Sequence, residues 1–328
     1  MKILIIGGTG LISTAIAQQL IDRGDHVVLY NRGRTPVRVA GDHEVITGDR
    51  KEFAAFEGQM SGSQWDGVID MVCFKPDEAE SAIRAFSGRA SRYIFTSTVC
   101  VYNGVMTKVP ATDDEPLNPL TDYGKNKSRC EELLMEAHKS GKLSVSIIRP
   151  SHTYGEGGGV IHSVGNCTTY IDRIRKGKPV AVHGDGTSLW ASCHVEDAAR
   201  AFVGAIDNPA ASGEAYHVTS DEWITWDQYS EIVAKAVGGT ANIVHIPSDV
   251  LADWLPDRGT FTKMEFQYNR IFDNSKAKRD LGFRYSIPFE EGVRRTVAWM
   301  EANGKIGNSD VEDEFYDALI ERWRRAIQ

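Results

Sequence analysis

The chain predicts an α/β fold, a doubly wound parallel sheet with a smaller, interleaved C-terminal α/β domain, and three observations carry that expectation. Short apolar segments recur through the first half, at 3–6, 26–30, 43–46, 67–72, 92–96 and 144–149. Helical or loop stretches separate most of them, and strands alternating with helices imply a parallel sheet covered on both faces. The first segment, Lys2-Ile-Leu-Ile-Ile6, runs straight into Gly7-Gly8-Thr9-Gly10 and then into a helical run ending at Leu20. From about Pro150 the alternation becomes irregular. The expected organisation is a first domain over 1–160, to which parts of 190–220 return, and a second over 161–328.

Length and composition limit the function classes. The chain of 328 residues is long enough for one large domain or two that share an interface. Its 41% hydrophobic and 25% charged residues are ordinary for a soluble globular protein. No apolar run approaches the roughly 20 residues that span a bilayer. The segment Ile3 to Ile6 is too short for the apolar part of a signal peptide, so a cytoplasmic protein without a membrane partner is expected. The five cysteines (73, 100, 130, 167 and 193) are scattered and form no C-x-x-C pair, which fits a reducing compartment and argues against a zinc cluster. The nine histidines show no H-x-x-x-H spacing, and no metal is expected. A net charge of −8 speaks against nucleic acid as the main partner, since phosphate binding needs a basic surface.

The glycine turn is the first functional signal. A strand, a glycine turn and an immediate helix make a site for a dinucleotide pyrophosphate: the glycines admit the phosphates and the helix N-terminus receives their charge. Gly7, Thr9, Gly10, Leu11 and Ile12 are the candidate contacts, and Ser13 stands where a third glycine would allow close helix–strand packing. The end of the second strand reads the adenosine ribose in such folds: a carboxylate there favours NAD, while arginine accommodates the 2′-phosphate of NADP. Here the strand ends Asn31-Arg32-Gly33-Arg34, so NADP is expected, with NAD as the alternative. After the third strand, Asp49 is placed to bond the adenine amino group, with Arg50 beside it. After the fourth, Val72 and Cys73 are expected near the nicotinamide ribose.

The chemistry lies between the fifth and sixth strands. Tyr123-Gly-Lys-Asn-Lys127 puts a phenol and an ammonium one helical turn apart on one face. The strand end Thr96-Ser97-Thr98 supplies hydroxyls before it. Hydride transfer at a hydroxyl needs an acid/base for the substrate proton. Lys127 and a positive nicotinamide ring would both lower the phenol pKa from its usual value near 10. Tyr123 is the candidate acid/base, Lys127 the ribose anchor, and Thr98 the group that orients the substrate oxygen.

The second half is read more coarsely. Helices are expected near 164–176, 195–207, 226–237, 288–302 and 311–326, a strand at 215–219 and an apolar segment at 243–247. Phe315, Leu319, Ile320 and Trp323 form a helical stripe, read as a packing face.

Taken together, these residues resemble the extended short-chain dehydrogenase/reductases, the NAD-dependent epimerase/dehydratase group. The landmarks are the glycine turn, the Thr98/Tyr123/Lys127 set, Arg149-Pro150 with Tyr154-Gly155, Gly184-Asp-Gly186 with His194-Val-Glu-Asp197, and Asp273-Asn-Ser-Lys276 with Leu281-Gly282. The resemblance implies a Rossmann domain, a catalytic Thr/Tyr/Lys triad, a nicotinamide cofactor with Pro150 in its binding set, often a homodimer, and usually a nucleotide-sugar substrate. Lys75 falls where UDP-galactose 4-epimerases of the group carry a lysine near the cofactor. By the same analogy the face of the tyrosine helix bearing Cys130, Leu133 and Leu134 is a dimer face; read from its spacing it is equally a sheet-facing side.

Departures from the family pattern shape the substrate reading. Dehydratases of the group carry Asp-Glu after the catalytic threonine, where this chain has Val99 and Cys100, so 4,6-dehydration is not expected. Cys100 stands where GDP-fucose synthases place an epimerising cysteine, though a small buried residue is the plainer reading. Trp190 and Lys263 stand near where diphosphate-binding members place arginines, and His152 takes a position that is often asparagine. The expected activity is NAD(P)-dependent oxidoreduction or epimerisation of a sugar-like or nucleotide-sugar substrate. The alternatives are a redox-neutral epimerase holding NAD tightly, and a non-catalytic nucleotide-sensing or RNA-binding protein.

Overall fold

The computed structural model describes every residue from Met1 to Gln328. The chain divides into two compact units, one comprising Met1–Thr153, Val195–Thr219 and Phe272–Ser286, the other Tyr154–His194, Ser220–Ile271 and Ile287–Gln328. The break expected at 160 therefore falls at Thr153, and the first unit also takes back 272–286, which the sequence reading left in the second.

The first unit contains β1 (Lys2–Ile6), α1 (Leu11–Asp22), β2 (His26–Asn31), β3 (Glu44–Thr47), α2 (Phe53–Met60), β4 (Gly67–Asp70), α3 (Pro76–Phe86), β5 (Tyr93–Thr96), α4 (Asp122–Lys139), β6 (Val145–Pro150), α5 (Val195–Asp207), β7 (Ala215–Val218) and α6 (Ser275–Leu281). Its seven strands form one sheet in the order β7-β6-β5-β4-β1-β2-β3. Every neighbouring pair is parallel. The order reverses between β1 and β4, and ligands of such sheets bind beyond the strand ends at that switch. The central strands are buried because helices cover both faces: Ile3 to Ile6 and all of β4, β5 and β6 are buried, mostly apolar but with Asp70 in β4 and Ser146 and Arg149 in β6. The edge strand β3 is largely exposed, and its alternation is correspondingly weak.

α4 ends the question about its own apolar face. Cys130 and Leu134 are fully buried in the core of this unit, and Leu133 packs against the same cluster. Cys130 and Leu134 thus belong to the sheet-facing side of the helix, the second of the two readings, while Leu133 stays partly exposed.

In the second unit, strand 179–183 pairs in parallel with 242–246. Helices 169–175, 226–236 and 289–302 surround an aromatic core that includes Tyr154, Tyr170, Trp190, Trp226, Tyr229, Phe266 and Phe289. The helix 313–326 buries Leu319 and Ile320, with Phe315 and Trp323 packed beside Leu319. The strand expected at 215–219 joins the first unit as β7 at the sheet edge, within the 190–220 stretch expected to return there.

Candidate active site

The glycine turn is held open by its own sequence. Gly7 has φ of +84°, and a Cβ there would lie 2.6 Å from Val72 Cγ1, so both conformation and space demand glycine. Ser13, 1% exposed, does more than fit the third glycine position. Its hydroxyl donates to Gly7 O at 2.8 Å and accepts from Gly10 N at 2.8 Å, pinning the turn against the helix start. The sequence hinted at this only through the spacing. Leu11 and Ile12 follow as the first helical residues, whose N–H groups have no intrahelical acceptor.

Two cavities open from this turn. One, of about 340 Å³, is lined by Gly7, Thr9, Gly10, Tyr30, Asn31, Arg32, Arg34, Thr35, Asp49, Lys51, Val72 and Phe74, among others. The second, of about 470 Å³, is lined by Gly7, Gly10, Leu11, Ile12, Val72, Phe74, Thr96, Ser97, Thr98, Tyr123, Lys127, Pro150, Ser151, His152 and others. Gly7, Gly10, Val72 and Phe74 line both. An extended dinucleotide has this bipartite demand, a charged end for the adenosine half and a reactive end for the nicotinamide. One further observation fits such a ligand: Asn31 Nδ2 is buried with no hydrogen-bond partner, although Asn31 Oδ1 accepts from Gly33 N at 3.0 Å.

Several candidates are turned to other work. Arg50 lines the first cavity, but it is 5% exposed, and its guanidinium donates to Asp70 Oδ2 at 2.5 Å and to Glu78 O at 2.7 Å. It forms a buried ion pair, with its Nε left without a hydrogen-bond partner. Cys73 points into the core, fully buried beside Cys130, whose hydrogen bond, together with burial, pushes its thiol well up. Only its carbonyl faces the site. Lys75 lines neither cavity and caps α3, its N–H donating to Glu78 Oε2 at 3.0 Å. In the second unit, Trp190 is 6% exposed in the aromatic core, with ring centroids 5.3 Å from Trp226 and 4.9 Å from Phe266. Lys263 pairs with Asp249 at 2.9 Å. The residues missed at the cavities, Phe74 and Lys51 above all, sit in loops where periodicity is silent.

The Thr98, Tyr123 and Lys127 side chains all line the second cavity. Thr121 caps α4 by accepting from Gly124 N at 3.0 Å, placing Tyr123 in the first turn. Gly124 is required by close approach: a Cβ there would lie 2.1 Å from Cys100 O. The helix start is thus pressed onto the loop that follows Thr98, and Thr98 Oγ1 accepts from Cys100 N at 3.2 Å. The Lys127 ammonium is 1% exposed and donates to Thr96 O at 2.7 Å and Cys73 O at 2.8 Å. Burial lowers its pKa.

The phenol pKa departs from expectation. Burial of its hydroxyl end pushes Tyr123 up to about 12; the neighbouring Cys100 adds to the rise and a hydrogen bond with Thr98 opposes it. The ring itself is 43% exposed. Lys127 is not among the groups that shift the phenol; its Nζ lies 5.9 Å from the Tyr123 ring centroid and donates to two carbonyls. His152 is half-buried, and desolvation lowers it to about 4, so it is neutral near pH 7. Cys100, partly buried, does not line either cavity.

Residues 3–219 match the model of the NAD dependent epimerase/dehydratase family. A 2'-dehydrokanamycin reductase of Streptomyces kanamyceticus is 24% identical over 97% of this chain and 89% of its own. The chloroplast stem-loop binding protein of 41 kDa b of Arabidopsis thaliana is 26% identical over 89% of this chain and 77% of its own. Among solved structures, a UDP-glucose 4-epimerase of Thermotoga maritima with UDP-glucose matches with a TM-score of 0.74 at 20% identity, covering 92% of this chain and 99% of that one. A UDP-glucuronic acid 4-epimerase of Bacillus cereus in complex with NAD matches with a TM-score of 0.72 at 18% identity, over 92% and 96%. These likenesses show the fold. With its parallel sheet, glycine turn and family match, the chain belongs to the NAD-dependent epimerase/dehydratase family of enzymes.

Proposed function

We propose that the chain is an NADP(H)-dependent oxidoreductase acting at a hydroxyl or ketone of a sugar-like substrate, with Tyr123 as acid/base. The observation that carries this reading is the convergence of Thr98, Tyr123 and Lys127 on the cavity that shares Gly7 and Gly10 with the Arg32/Arg34 cavity.

A bound nicotinamide dinucleotide supplies the hydride donor or acceptor. The N–H groups at the start of α1 receive its pyrophosphate, and Arg32 and Arg34 suit a 2′-phosphate by bidentate contact. Lys127 holds the ribose on the nicotinamide side. Thr98 donates to the substrate oxygen and orients it towards the phenol. In the reducing direction Tyr123 gives its proton to the developing alkoxide. In the oxidising direction it takes the hydroxyl proton, a role that requires its pKa to fall from about 12 as positive charge enters the cavity. His152, neutral, offers a hydrogen bond at the cavity wall without adding charge. The distant reductase relative favours a ketone substrate.

A redox-neutral epimerase holding NAD is the second reading, favoured by neighbours solved with NAD. Native mass spectrometry of the purified protein, followed by titration with NADPH and NADH, separates the two. Empty protein that binds NADPH well ahead of NADH supports the oxidoreductase. Tightly co-purified NAD with no added affinity for NADPH rejects it in favour of the epimerase. The stem-loop binding relative motivates a third reading, which a filter-binding assay without RNA retention at moderate salt removes.

A further inference from the structure

Phe74 has no role in the chemistry above, yet it stands at the seam of the two cavities. Its backbone is pinned: its N–H donates to Glu78 Oε2 at 2.5 Å, Glu78 is 3% exposed, and Arg50 donates to Glu78 O at 2.7 Å. Its side chain is 43% exposed, the opposite of what a core-forming phenylalanine shows. Its ring centroid lies 4.6 Å from Lys127 Nζ, and that of Phe95 lies 4.9 Å away.

An ammonium has three N–H donors. Two of those on Lys127 go to Thr96 O and Cys73 O. The third is left to the aromatic faces, a desolvated cation–π arrangement. Phe95 is fully buried and fixed in β5. Phe74 alone of the two can leave by rotating its side chain. To bond a ribose, Lys127 must exchange the Phe74 face for ribose hydroxyls.

Building on the dinucleotide reading, we propose that Phe74 is a positioning residue that covers Lys127 and swings onto the cofactor as Lys127 engages the ribose. The ring then closes the seam between the adenosine and nicotinamide halves and slows cofactor release. Phe74 controls access to Lys127 in the free protein and residence time in the complex.

Two readouts on the full-length protein test this. The first is the rate at which a small amine-acylating reagent modifies Lys127, read by peptide mass spectrometry. The second is the NADPH off-rate by stopped-flow fluorescence. F74A is expected to raise both on the order of tenfold, the scale of one lost cation–π or apolar cover. F74L keeps apolar bulk at an exposed position, serves if F74A folds poorly, and is expected to fall between F74A and wild type. Wild-type labelling and release rates in both variants overturn the proposal. If the wild type binds neither NADPH nor NADH, the dinucleotide reading fails and the swing onto the cofactor fails with it. Loss of wild-type binding is thus distinguishable from unchanged rates in the variants of a protein that does bind.

Discussion

Replacing Glu131 by glutamine tests how the catalytic face of α4 is held. Glu131 lies one turn beyond Lys127 and is 3% exposed, and Arg149 at the end of β6 is 6% exposed. Arg149 Nε and Nη2 donate to the two carboxylate oxygens at 3.0 and 2.6 Å, and Ser97 Oγ donates to the same carboxylate at 2.5 Å. Arg149 Nη1 donates to the Tyr102 hydroxyl at 2.6 Å, which hydrogen-bonds His217 Nε2 at 2.7 Å. Ser97 precedes Thr98, so this buried pair ties α4 to the segment that carries the other catalytic hydroxyl. Removing one member leaves a guanidinium uncompensated in the interior, at a cost of about 3–5 kcal/mol. The amide oxygen of glutamine still accepts from Arg149, so E131Q belongs at the lower end, about 3 kcal/mol. At roughly 2–4 °C per kcal/mol for a unit of this size, Tm should fall by about 6–12 °C. The double variant E131L/R149M removes both charges and should recover stability to within about 1–2 kcal/mol of wild type, with the hydroxyls of Ser97 and Tyr102 as the residual cost. Urea unfolding followed by tryptophan fluorescence measures both. A loss below about 1 kcal/mol for E131Q, or a double variant no more stable than E131Q, would refute the reasoning.

Other consequences are equally direct. Replacing Arg32 and Arg34 by serine should weaken NADPH binding by about tenfold to a hundredfold and leave NADH unchanged, as titration of each would read; equal loss for both cofactors would remove the 2′-phosphate assignment. Tyr123→Phe should lower kcat by about 10²–10⁴ without changing NADPH affinity, and full turnover with a turned-over substrate would remove Tyr123 as acid/base. Burial lowers His162 to about 3 and His183 to about 4. The unfolded chain then binds more protons than the folded one below about pH 6.5, so stability is present above that value and is lost as pH falls towards 4 and 3. Tm measured across this range should drop, and His183→Gln should flatten the fall; an unchanged slope would show that His183 does not contribute. Ser13→Ala should destabilise by about 1–3 kcal/mol, through the two turn hydrogen bonds it removes, and weaken NADPH binding, both readable by thermal shift.

What was legible in the sequence is what local geometry dictates. Four aliphatic residues before a glycine turn make a buried parallel strand and a helix start whatever follows, and the 3.6-residue period alone brings Tyr123 and Lys127 to one face of a helix. The six first-half strands and the cavity positions of Gly7, Arg32, Thr98 and Tyr123 follow from such short-range rules. Tertiary structure decided where chain direction in a loop or a distant partner matters. Val72, Cys73 and Phe74 are consecutive, yet Cys73 enters the core while its neighbours line the cavities, an alternation whose phase no local spacing reveals. Arg50 follows Asp49 in the sequence, but only the fold brings Asp70 against it, and only the fold gives Lys127 the carbonyls of Thr96 and Cys73. The return of 272–286 to the first unit is likewise a matter of long-range packing. Backbone periodicity is set by neighbours along the chain, whereas the partner that satisfies a buried charge is chosen by desolvation, which acts only once distant segments have closed around it.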